Sequence, residues 1–174
     1  LPTELCLCSV SNLGFNMKRS NEIIDCESCH IQAEVAERIA RAVREYVKRT
    51  KIPIYDEKTG TGVLRHLVVK TAFGTGEVMV ILVATERRIP DVELLIDEMG
   101  RALESPDPQK TPEGEDYYLE SLILNVNRQK KGPEMGRECI TLAGKPTIKD
   151  RLMGMDFEIS PLSFYQVNPV QTEK

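Results

Sequence analysis

Val63-Leu64-Arg65-His66-Leu67-Val68-Val69-Lys70-Thr71-Ala72, then Phe73-Gly74-Thr75-Gly76, then Glu77-Val78-Met79-Val80-Ile81-Leu82-Val83-Ala84-Thr85, reads as two β-rich runs joined by a short glycine-containing connection, the pattern of a hairpin. From Val78 to Val83 the second run is apolar at every position. A strand with both parities apolar is one covered on both faces. The stretch therefore predicts a central strand in a sheet that needs packing on each side.

Upstream, the period changes. Ile31, Val35, Ile39, Val43 and Val47 step by four, with Ala42 and Tyr46 beside them, which is one face of an amphipathic helix ending before Pro53. Glu34 with Arg38 and Glu37 with Arg41 stand in the favourable i,i+4 order, worth about 0.2–0.5 kcal/mol per pair. Downstream, Pro90-Asp91 opens a second helix with Val92, Leu95, Ile96, Met99 and Leu103 on one stripe. Leu5 to Val10, the return from Phe15 and Asn21 to Asp25 read as short strands. So do Tyr117 to Asn127, Glu138 to Leu142, Thr147 to Leu152 and Met155 to Ile159, separated by Gly and Pro turns. The expected fold class is α+β: a mostly antiparallel sheet with two amphipathic helices packed on it.

Composition bounds the rest. The chain has 174 residues, 41% of them hydrophobic, with no Trp, four Phe and five Tyr, so the core is aliphatic. No apolar run approaches the ~20 residues of a membrane helix, and Leu1-Pro2-Thr3-Glu4 lacks the basic start of a secretion signal. A cytoplasmic protein with no membrane partner is expected. The net charge of −4 argues against a free-standing nucleic-acid binder unless other domains supply most of the phosphate contacts or the base here lies on one face. The second alternative is open, because acid concentrates between Glu104 and Asp116 while base clusters from Arg38 to Lys51 and from Arg128 to Lys131.

Five cysteines, Cys6, Cys8, Cys26, Cys29 and Cys139, are an odd number that does not suit a disulfide framework. Cys26-Glu27-Ser28-Cys29 is a CxxC ahead of a helix, which leaves open a metal or redox role. Cys139 reads as a buried strand cysteine, and His66, alternating with Leu64 and Val68, as a half-buried histidine.

The last stretch, Ser160-Pro161-Leu162-Ser163-Phe164-Tyr165-Gln166-Val167-Asn168-Pro169, is a strand exit, a loop with an aromatic pair and an amide, and a helix entry with Asn168 as N-cap and Pro169 in the first turn. A helix opened there has almost no length before Lys174, and the chain is expected to be a fragment. This segment resembles the SAM-proximal motif of the RNA uracil-5-carbon methyltransferase family, which makes 5-methyluridine in tRNA and in large-subunit ribosomal RNA (rRNA). Gly14-Phe15 through Arg19-Ser20 leading to Cys29-His30-Ile31-Gln32, Leu64 to Lys70 followed by Gly76 to Val80, and Ser121 to Asn127 are similar to the same family's central domain, in the same order.

The resemblance implies residues 1–160 as that central α+β domain and 161–174 as the start of a SAM-dependent methyltransferase domain. The family's N-terminal OB-like and C-terminal Rossmann-like domains are then missing partners of the same protein. It implies an intact enzyme in which a cysteine thiolate adds to C6 of a flipped-out uridine, C5 takes the methyl group from S-adenosyl-L-methionine (SAM), and a carboxylate removes the C5 proton. The cysteine and carboxylate lie outside this sequence, so the chain alone is expected to be inactive. Gln166 is implied as a SAM contact, its amide both donor and acceptor. Phe164 and Tyr165 either line the pocket or pack the loop. Cys29 matches the fourth ligand of the family's 4Fe-4S iron–sulfur cluster, which is expected in the intact protein rather than in this piece. Arg65, Arg128, Lys130 and Lys131 are candidates for RNA backbone contact, with rRNA ahead of tRNA as partner. The competing reading is a stand-alone RNA-binding or interaction module without activity.

Overall fold

The computed structural model describes residues 34–104, 110–111, 114–130 and 132–163 in full, and three N-terminal strands by their backbone. Those strands are β1 (Thr3–Leu7), β2 (Leu13–Asn16) and β3 (Ile23–Asp25). Helix α1 (Glu34–Thr50) follows, then β4 (Leu64–Thr71), β5 (Glu77–Ala84), helix α2 (Val92–Leu103), β6 (Tyr118–Val126), β7 (Glu138–Gly144), β8 (Ile148–Leu152) and β9 (Met155–Ile159). The first seven strands form one sheet in the order β3-β2-β1-β4-β5-β6-β7, and β8 and β9 form a separate antiparallel hairpin. Every neighbouring pair in the large sheet is antiparallel except β5 with β6, which run parallel because α2 carries the chain back between them. The fold is α+β with a mostly antiparallel sheet and two amphipathic helices, as the sequence predicts.

The two-faced reading of β5 holds residue by residue: all eight of its positions are buried. Val78, Val80, Leu82 and Ala84 join Leu67 and Val69 of β4 and Leu122 and Leu124 of β6 in a core under the helices. Met79 and Ile81 point the other way and pack with Val68, Ala72, Ile123, Ile148 and Ile159. The helices supply the first cover. α1 buries Val35, Ile39, Val43, Tyr46 and Val47, and α2 buries Leu95 and Met99. The Tyr46 hydroxyl donates to the carbonyl of Pro90, tying α1 to the start of α2, and burial raises its pKa to about 12. On the outer side Arg38 pairs with Glu34 at 3.2 Å and Arg41 with Glu37 at 3.9 Å. No helix among the described residues is long and apolar enough to cross a membrane.

The second cover is the β8–β9 hairpin, and its apolar contribution is small. Asp150, 1% exposed, does what apolar area alone does not. Its carboxylate accepts from the Gly74 amide at 2.7 Å and the Phe73 amide at 3.1 Å, fixing the hairpin to the β4–β5 turn. Thr75 Oγ1 donates to the Lys149 carbonyl at 2.5 Å, and Glu77 Oε2 accepts from the Lys149 amide at 2.7 Å. The approach is close enough that a β-carbon on Gly74 would collide with the Arg151 carbonyl.

Because charge-assisted bonds contribute about 1.5–3 kcal/mol each and their loss strands buried amides, Asp150→Ala is expected to destabilise the protein by about 3 kcal/mol. Urea unfolding monitored by circular dichroism measures this, and a change under ~1 kcal/mol contradicts the role given to Asp150.

Candidate functional site

Two places on this scaffold hold the residues singled out from the sequence. The first is the exit from β9. Ser160 to Ser163 form a closed turn: the Ser163 amide donates to the Ser160 carbonyl at 3.3 Å, Ser163 Oγ to the same carbonyl at 2.9 Å, and the Ser160 amide to Ser163 Oγ at 3.1 Å. Pro161, at the second position of the turn where its fixed φ is favourable, is buried. Lys70, 6% exposed on β4, reaches the turn and donates from Nζ to the Ser160 carbonyl at 2.9 Å and the Ser163 carbonyl at 2.6 Å. Phe164, Tyr165 and Gln166 follow and lie outside the described residues.

The second place is the loop between β6 and β7, which carries the basic cluster. Its path is written in asparagines. Asn125 Nδ2 donates to the carbonyls of Gly136 and Glu138 at 2.8 and 3.2 Å, and its Oδ1 accepts from the Gly136 amide at 2.7 Å. Asn127 Nδ2 donates to the Pro133 and Glu134 carbonyls, both at 2.9 Å, and its Oδ1 accepts from the Gln129 amide at 3.1 Å. A side chain at Gly136 would strike the Val126 carbonyl. The loop is thus folded around buried amides, and Arg128 and Lys130 stand exposed on its outside. Arg128 Nε donates to the Thr85 carbonyl at 3.0 Å, which leaves its terminal nitrogens at the surface. Lys131 lies outside the described residues.

Arg65 departs from the expectation of an RNA contact. Its side chain is 6% exposed and paired with Glu57 at 2.8 Å. It donates to the carbonyls of Gln129 at 2.7 Å and Asn127 at 3.3 Å, and its guanidinium lies 4.4 Å from the centre of the Tyr55 ring. The planar fork that suits phosphate suits converging carbonyls equally well. Arg65 braces the basic loop from beneath rather than offering itself to a ligand.

His66, half-buried on the same strand, has its imidazole held below the usual 6.5 by burial and by the Arg65 charge, with Glu134 and Glu57 pulling the other way. Cys139 is a free thiol, partly buried in β7, whose sulfur accepts from Asn125 Nδ2 at 3.2 Å. Cys29 and Cys26 lie outside the described residues. Among the described residues no group of three or more His, Cys, Asp or Glu side chains is placed to hold a metal.

This scaffold matches known proteins. An uncharacterized RNA methyltransferase of Clostridium tetani is 41% identical over 162 residues, covering 93% of this chain and 32% of the relative. Another, from Caldanaerobacter subterraneus subsp. tengcongensis, is 40% identical over 160 residues, covering 92% of this chain and 32% of the relative. The crystal structure of Pyrococcus abyssi tRNA (uracil-54, C5)-methyltransferase in complex with S-adenosyl-L-homocysteine superposes with a TM-score of 0.73 at 25% identity, over 97% of this chain and 36% of that one. Over nearly its whole length the chain is similar to part of proteins named RNA methyltransferases, and it shares the fold of part of a tRNA uracil C5 enzyme. It spans about a third of the length of the relatives it matches. No family model matches it.

Sequence reasoning named the motif and the basic cluster, and it read Lys70 as a possible RNA-backbone contact and Asn125 and Asn127 as part of a strand rather than as the residues that hold them. Lys70, Asp150, Asn125 and Asn127 carry a signal only in retrospect: polar side chains inside runs otherwise read as strand interior.

Two outcomes follow from the geometry. Arg65→Met is expected to lower stability by about 2–3 kcal/mol, because it strands the carbonyls of the basic loop, and Arg65→Lys, which lacks the fork, to restore only part of it. Urea titrations decide this. For His66, the folded state binds its proton at lower pH than the unfolded chain. Its contribution is therefore fully present above about pH 6.5 and is lost as pH falls from there through the folded value. Between about pH 7.5 and 5.5 the native protein is expected to lose stability more steeply than His66→Gln, and parallel curves would remove His66 from the account.

Proposed function

We propose that this chain is the central part of a SAM-dependent RNA (uracil-5-)-methyltransferase, an enzyme that methylates C5 of a uridine in RNA. The observation that supports this best is the combination of a match over 93% of the chain to a protein named an RNA methyltransferase and a shared fold with a solved uracil C5 enzyme. In this reading residues 1–160 form the central domain and 161–174 open the catalytic one.

The roles divide by position. Arg128, Lys130 and Lys131 lie on the β6–β7 loop and contact phosphates, which positions RNA without reading its sequence. Arg65 holds that loop in place from inside. Gln166, with one amide donor face and one acceptor, contacts SAM, whose ribose and methionine groups need both. SAM supplies the methyl group. Cys29 serves in the intact protein as the fourth ligand of an iron–sulfur cluster that ties the segment before α1 to the rest, a structural part with no reacting atom. The chain alone transfers no methyl group.

Large-subunit rRNA is the substrate in this proposal. A tRNA substrate is the second reading, favoured by the solved relative, which is named as a tRNA enzyme. The full-length protein incubated with methyl-labelled SAM and each unmodified RNA distinguishes them. Label in 5-methyluridine of rRNA is expected, label in tRNA alone selects the second reading, and label in neither removes both. In the same protein, Arg128→Ala with Lys130→Ala and Lys131→Ala is expected to weaken RNA binding and to flatten its salt dependence by about two to three in the log–log slope. An unchanged slope takes the loop out of the RNA interface.

A further inference from the structure

We infer that Lys70 is a positioning residue for the SAM-contact motif, setting the take-off of the segment that contains Gln166. The inference rests on the reading of Gln166 given above and extends it to a residue far away in sequence. Lys70 sits on the sheet face that carries the apolar cluster of Val68, Ala72, Met79, Ile81, Ile123, Ile148 and Ile159. Its direct cross-strand partner is Met79, which is fully buried. An ammonium in such a place is costly unless its protons are satisfied. It gains two carbonyl acceptors by reaching beneath the hairpin to Ser160 and Ser163, the first and last residues of the turn.

The geometry makes this more than a packing contact. The turn is already closed on itself by the Ser160–Ser163 bonds, so it moves as a unit. Two bonds from one ammonium to its two ends fix both where that unit sits and the direction in which the chain leaves it. Phe164 follows directly, and the chain can reach at most about 11 Å from Ser163 to residue 166. A displaced turn therefore shifts the volume within which the Gln166 amide can lie, and hydrogen bonds to SAM lose strength steeply with angle and distance.

Lys70→Met keeps the length and apolar stem but removes the donors; Lys70→Arg restores donors. Asp150→Ala is the comparison, because it removes a different attachment of the same hairpin, the one to the β4–β5 turn, and leaves the bonds from Lys70 to Ser160 and Ser163 in place. In the full-length protein, at a temperature where all variants are folded, Lys70→Met is expected to raise the KM for SAM about tenfold with the KM for RNA unchanged. Lys70→Arg should recover most of that loss, and Asp150→Ala should leave the KM for SAM near the native value. Amide hydrogen exchange over residues 160–168 is expected to quicken in Lys70→Met and not in Lys70→Arg. A KM for SAM in Lys70→Met equal to that of Asp150→Ala overturns the inference, as does unaltered exchange. If the unaltered protein binds no SAM, the methyltransferase reading fails and this inference with it. If it binds SAM and Lys70→Met binds equally well, only this inference fails.

Discussion

The structure depends on one strand having no free face. β5 is buried at all eight positions, so the sheet is stable only if something covers each side of it. The helices do this for one side with the large apolar stripe of α1 and the smaller one of α2, which is ordinary hydrophobic packing, non-directional and generous in area. Among the described residues the other side is covered chiefly by a two-stranded hairpin, with Met135 and Cys139 at its margin, and an isolated hairpin is marginal in water. Directional bonds make up the difference. Asp150, Thr75, Glu77 and Lys70 fasten the 148–163 segment to the sheet at named points. The weak cover is thereby the precisely placed one, and it is the cover that leads into the motif at Phe164.

A similar logic operates at the opposite end of β4. Arg65 and Lys70 are two buried cations on one strand, and neither is spent on a surface ion pair alone. Arg65 reaches carbonyls of the β6–β7 loop, and Lys70 reaches carbonyls of the turn after β9. Five steps of extended chain lie between them, about 17 Å. β4 thus acts as a spacer between the loop assigned to RNA and the turn that feeds the motif assigned to SAM. This also bears on the net charge of −4. The chain as a whole is acidic, but the exposed charges described on the β6–β7 loop are mainly basic, Arg128, Lys130 and Arg137 against Glu134. The residue that orders them keeps its own charge inside.

The sequence was most legible where a period was long and unbroken. Ile39, Val43 and Val47 announced α1, and the run from Val78 to Val83 announced a covered central strand; both are found as read. It was least legible for polar residues within apolar runs. Arg65 was named as a candidate RNA contact from its charge and its place in the β4 run, and neither shows the carbonyls of Asn127 and Gln129 that it meets inside. Asn125 and Asn127 looked like part of a strand signature, whereas their amides are the frame on which the next ten residues are folded. Gln166 and Cys29 were named from likeness of motif, and their surroundings fall outside the described residues.

Periodicity is a local property, carried by side chains a few positions apart, and it determined the elements, their order and which strand must lie in the middle. Hydrogen-bond partners of buried charges are another matter. Lys70 meets Ser160 and Ser163, Asp150 meets Phe73 and Gly74, and Arg65 meets Asn127 and Gln129. Each pairing joins residues more than sixty positions apart, and each became possible only after the sheet had closed. A polar group shut away from water has to take whichever partner the folded chain brings within about 3 Å of it. That choice belongs to the tertiary structure.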